Sequence, residues 1–150
     1  MRKMKNSKGF TLMEMLIVVA IIAVLIAIAI PTFNASLNKA RVATDEANIR
    51  SGYASVMAEV LTADPTPAKN TVYFLLKDGS VLESSKATDA TTTYKCFGNT
   101  GDKGVEIAGQ TVNAWKKDST VKYTITSDAN TDDKITVKIE TVDPSPAAGN

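Results

Sequence analysis

From Phe10 to Ile30 every position is apolar except Thr11 and Glu14. At about 1.5 Å of rise per residue, such a run spans roughly 30 Å, the thickness of a bilayer core. It predicts a membrane-crossing helix over 10–30. Pro31 follows directly, and its missing N–H and its ring predict a kink or a locally loosened helix there. Helical periodicity then resumes. Leu37, Ala40, Ala43, Ala47, Ile49, Tyr53, Val56, Met57 and Val60 recur at three- and four-residue steps, with Asn38, Lys39, Arg41, Asp45, Glu46, Arg50 and Glu59 between them. This pattern predicts an amphipathic helix over 31–63 with one face on a core. Asp64-Pro65-Thr66-Pro67 should end it near Ala63. A helix from Phe10 to Ala63 would be roughly 80 Å long.

Past Asn70 the period shortens. Thr71 to Lys77 reads as a strand or a short buried helix. Asp78-Gly79 is a turn signal, after which Val81-Leu82 can pair back. Thr92 to Phe97 and Val105 to Ala108 are short strand candidates. Val121 to Thr126 and Ile135 to Val142 alternate cleanly and predict a hairpin closed by the loop Asp128 to Asp133. The expected class is therefore α+β. One long N-terminal helix packs its outer half on a small antiparallel sheet, with a head over 64–142 and a flexible tail over 143–150.

Charge sharpens this picture at the N-terminus. Arg2, Lys3, Lys5 and Lys8 precede Gly9 with no acid among them. The positive-inside rule then places the N-terminus in the cytoplasm and the head outside. Loss of those four cations would take the formal charge from +1 to −3. Ala27-Ile28-Ala29 is a loose signal-peptide cleavage site, but the apolar run is too long for that reading. The chain has no histidine and one cysteine, Cys96. An intramolecular disulfide, a Cys/His nucleophile pair and a cysteine-rich metal site are excluded. No phosphate-binding glycine loop or nucleophile constellation is present, so the chain does not read as an enzyme.

Gly9-Phe10-Thr11-Leu12-Met13-Glu14, the apolar run behind it and Pro31 at its end resemble the N-terminus of type IV pilins and their relatives, the pseudopilins of type II secretion and competence machines. The resemblance covers about the first 35 residues, and the helix-then-sheet layout fits a type IV pilin-like fold. It implies that residues 1–9 are a leader. A prepilin peptidase would remove it between Gly9 and Phe10 and methylate the new Phe10 amine. The subunit would wait in the cytoplasmic membrane, N-terminus in and head out. An assembly ATPase and a platform protein would then build it into a helical homo-oligomeric filament at the cell surface. Such a filament serves adhesion, twitching motility or DNA uptake. Related filaments loosen the helix before the proline, which marks Pro31 for melting. Many relatives carry a glycine where this chain has Ala23.

Within that resemblance Glu14 acquires a reason. A carboxylate in an apolar setting persists when it has a partner. Cleavage turns the Phe10 amide into a cationic amine, which can pair with Glu14 of a neighbouring subunit and set the axial register. The plainer readings are a tolerated interfacial acid at Glu14, a linker glycine at Gly9, and a polar residue satisfying local backbone at Thr11. A pseudopilin and a membrane-anchored binding protein that never polymerises are the alternative functions.

The head offers weaker signals. Asp128, Asn130, Asp132 and Asp133 suggest a calcium loop, and secretion-type relatives can bind calcium in C-terminal loops. Asp133 and Ile139 occupy the positions where that loop needs glycine and glutamate, so an acidic turn is the better reading. No other cofactor or metal is implied. Trp115, Lys116, Lys117 and Lys122 could touch nucleic acid, or form an ordinary solvated basic patch. Cys96 reads as a small buried residue in a strand.

Overall fold

A computed structural model describes residues 9–86, 91–126 and 135–144. Helix α1 runs from Leu12 to Thr62, one residue short of the expected end. Six strands follow: β1 Val72–Leu75, β2 Val81–Glu83, β3 Val105–Ile107, β4 Gln110–Val112, β5 Thr120–Ile125 and β6 Val137–Val142. The chain divides into a first unit, Met1–Leu37, and a second, Asn38–Asn150.

In the first unit, every described residue is exposed from Gly9 through Leu37. Helical geometry continues across Pro31 without a break. The Pro31 ring deprives the Ala27 carbonyl of its ladder donor. In the next turns Thr32 Oγ1 donates to the Ile28 carbonyl at 3.0 Å, and Ser36 Oγ to the Thr32 carbonyl at 3.0 Å.

The second unit contains the core. Its sheet has the order β2-β1-β5-β6, antiparallel throughout, and β3 and β4 form a separate two-stranded ribbon. Alternation sends Tyr73 and Leu75 of β1, Val121, Tyr123 and Ile125 of β5, and Val137 and Ile139 of β6 inward. Against them α1 buries Asp45, Ile49, Gly52, Val56 and Val60. This stripe corrects the expected face, because Ala40, Ala43 and Ala47 are exposed. Asp45 and Gly52 interrupt the apolar pattern and so disguise the true stripe. Gly52 is required by space. A Cβ there would run into the Tyr123 hydroxyl and lie 2.8 Å from Leu75 Cδ1. Tyr123 instead donates its hydroxyl to the Ile49 carbonyl of α1 at 2.8 Å.

The turns explain where the strand expectations held and failed. The β1–β2 connection carries Gly79 at φ 85°, with Leu76 N donating to the Ser80 carbonyl, as its Asp-Gly signal predicts. The β3–β4 hairpin turns on Ala108 and Gly109, at φ 52° and 79°, the two-positive geometry of a type I′ turn. Ala-Gly is a poor signal for that turn, so β4 was not legible and Ala108 read as strand. Thr92 to Phe97 forms only two isolated bridges, Leu76 to Thr93 and Lys95 to Thr120.

β6 lies at the edge of the sheet, but that edge is covered. Gln110 donates Nε2 to the Val137 carbonyl and accepts from Ile139 N, each at 2.9 Å. Asn113 repeats the pattern on Thr141, with both bonds at 3.0 Å. Two side-chain amides thus substitute for a neighbouring strand and blunt the edge. Replacing both by leucine should cost about 1–3 kcal/mol. It should also speed amide exchange at Ile139 and Thr141 by about tenfold or more. Unchanged protection at both amides would contradict this assignment.

Candidate assembly site

The sequence places its candidate residues at the start of α1. Gly9, Phe10 and Thr11 precede the helix, so the Gly9–Phe10 peptide bond lies outside helical structure. Phe10 is 80% exposed, and a Cβ on Gly9 would meet nothing within 4 Å. Among the described residues, nothing packs over either side of that bond. Residues 1–8 of the expected leader 1–9 lie outside the described residues, as do Asp128, Asn130, Asp132 and Asp133 of the calcium-like loop.

Glu14 is not an isolated acid. Its Oε2 accepts from Thr11 N and from Thr11 Oγ1, both at 2.8 Å, while Glu14 N donates to Thr11 Oγ1 at 3.2 Å. This is a reciprocal capping box, with Thr11 as the N-cap and Glu14 three residues on. The negative charge also sits at the positive end of the helix dipole. The T-x-x-E spacing is the sequence signal for this cap, although Thr11 taken alone reads as a polar residue satisfying local backbone. Thr11 therefore aims Glu14, and Oε1 takes no partner among the described residues.

A second acid gathers the loop that joins β2 to β3. Asp45 is fully buried on α1. Its Oδ1 accepts from the Tyr94 hydroxyl at 2.7 Å and from Phe97 N at 2.9 Å. Its Oδ2 accepts from Gly98 N at 2.7 Å and Trp115 Nε1 at 3.3 Å. Asn48 adds a bond to the Tyr94 hydroxyl at 2.9 Å. Burial, and then the Asp45 contact, push the Tyr94 hydroxyl well above its ordinary range, so it remains a donor. Spacing alone placed Asp45 among solvated charges, and nothing local in the sequence marks it. Its partners come from positions 49 to 70 residues away.

The other head candidates resolve plainly. Trp115 is fully buried, so it offers no ring for base stacking beside Lys116 and Lys117. Lys116 faces Asp143 at 3.7 Å and Lys122 faces Glu140 at 3.0 Å. Lys138, and then Lys122, hold the Glu140 carboxyl below the usual range. Cys96 is buried, as expected, but beside a bridge rather than in a strand. Burial, aided by Asp45, pushes its thiol up to about 12, which leaves it unreactive near neutrality.

An exposed Gly9–Phe10 bond, a capped apolar helix long enough to cross a membrane, and a helix-and-sheet head together make an α+β, type IV pilin-like layout. Residues 4–30 match the family of the prokaryotic N-terminal methylation motif. The chain is 33% identical over 110 residues to PilA5, the major component of the narrow type IV pilus of Thermus thermophilus. That match covers 71% of this chain and 92% of the relative. It is 57% identical over 37 residues to PilA4, the major component of the wide type IV pilus of the same organism, covering 25% of this chain and 28% of the relative. No solved structure matches. The chain belongs to the type IV pilin family, as a structural subunit rather than an enzyme.

Proposed function

We propose that the chain is a pilin proper, cut between Gly9 and Phe10, methylated at Phe10 and built into a surface filament for adhesion, motility or DNA uptake. The observation that carries this reading is the relationship to a pilus major component across 92% of that relative's length. In the membrane the leader and the capped helix hold the subunit with its head outside. A prepilin peptidase acts on the exposed bond. An assembly ATPase and a platform protein then move the subunit into the filament, where its apolar segment is covered by other copies. The new Phe10 amine pairs with Glu14 of a neighbour. Pro31, which leaves the Ala27 carbonyl without a ladder donor, is where the helix gives when subunits pack.

Mass spectrometry of filaments sheared from cells tests this reading. The expected N-terminal peptide begins at methylated Phe10. A chain cut at Gly9 but retained with the membrane would instead indicate a pseudopilin or a minor subunit. Residues 1–9 still attached in mature cells would point to an anchor that does not polymerise.

A further inference from the structure

Phe97 is 53% exposed, and among the large apolar side chains of the described second unit only Leu61 is more so. Its position is unusual because the loop beneath it is held rigidly. Five consecutive amides are taken: Cys96 N by the Ser119 carbonyl, Phe97 N and Gly98 N by Asp45, Asn99 N by Asn38 Oδ1, and Thr100 N by the Trp115 carbonyl. Asn38 closes the pair by donating to the Asn99 carbonyl at 2.8 Å. Gly98 lies so close to α1 that a Cβ would sit 2.6 Å from Val42 N. The Phe97 ring stands edge-on to Tyr94, with centroids 5.8 Å apart, and turns its remaining surface to solvent.

A loop usually moves and hides its aromatic residues, whereas this one is fixed by a buried carboxylate while its ring stays outside. Preordering lowers the entropic cost of contact, and rigid aromatic side chains are favoured interface anchors. We propose that Phe97 is the anchor through which the head of one subunit seats on a second copy of this chain. The occupant follows from the loop's attachment. Asn38, which fastens it, comes directly after Leu37, the last residue of the exposed first unit, and eight residues beyond the end of its apolar run at Ile30. That segment must be covered by other copies once it leaves the membrane, so the contact extends an interface that assembly already requires. The proposal rests on the filament reading above.

The test replaces Phe97 in the full chain, in cells that assemble it. F97K should lower the yield of sheared filaments at least about tenfold, with cleavage at Gly9 and the buried emission of Trp115 unchanged. F97L should keep most of the yield. A photoreactive benzoyl-phenylalanine at position 97, irradiated in filaments, should give a covalent dimer of this chain. Wild-type yield from F97K, or cross-links only to a different protein, would overturn the contact and leave the filament reading standing. A wild-type chain that yields no filaments would remove both.

Discussion

Glu14→Gln is expected to leave the proposed cut between Gly9 and Phe10 in place and to yield at least about tenfold less filament. The capping box makes this substitution informative. Glutamine serves at the third helical position almost as well as glutamate, so the variant keeps the bond to Thr11 and loses only the charge. The Phe10 amine of a neighbour would then enter an apolar filament core with no counter-charge, and each addition would carry that penalty. Thr11→Val is the complementary variant. It removes the cap and keeps the charge, so it should weaken the first helical turn while filaments still form. Sheared-filament yield against the cleaved membrane pool, measured for both variants, separates the roles. Wild-type filaments from Glu14→Gln would show that Glu14 is only a cap.

Asp45→Ala should destabilise the head by about 3–5 kcal/mol, a large share of the stability of a domain this size. The carboxylate accepts from two backbone amides, a phenol and an indole, all brought out of water around it. Removing it leaves four donors without an acceptor, and their costs overlap rather than add. Asp45→Asn keeps one acceptor oxygen and turns an amide group toward the loop, so it should fall between. Trp115, the chain's sole tryptophan, reports directly because its indole donates to Asp45. Thermal unfolding of the detergent-solubilised full chain, followed by Trp115 emission, should drop by roughly 10–20 °C for Asp45→Ala. A drop of under about 2 °C would mean that water replaces the carboxylate, and that the loop carrying Phe97 is not held by it.

The two acids show what kind of information each part of the chain carries. Glu14 could be singled out because its context is local: cations, a glycine, an aromatic residue and a greasy run lie within a few positions of it. Its cap is local too, since Thr11 and Glu14 stand at the T-x-x-E spacing. Asp45 sits among Arg41, Glu46 and Arg50, where periodicity assigns any charge to solvent. Its four donors lie far along the chain, and no window of sequence contains them. The edge cover of β6 was hidden for the same reason, since Gln110 and Asn113 become strand substitutes only once the ribbon lies beside β6.

The long helix, its end at the Asp-Pro break, the β1–β2 turn and the β5–β6 pair are legible in the sequence, which also nominates Gly9, Phe10 and Glu14 as candidate cleavage and assembly residues. Each of these follows from short-range sterics or from hydrophobic period, which adjacent residues express together. It takes the folded chain to show which stripe of α1 is buried, that Thr92 to Phe97 is a clamped loop rather than a strand, and that Trp115 is a core donor rather than an exposed ring. Those outcomes depend on where distant polar groups find partners. A buried amide or indole must be satisfied by whatever the fold brings near it, and that choice is made in three dimensions.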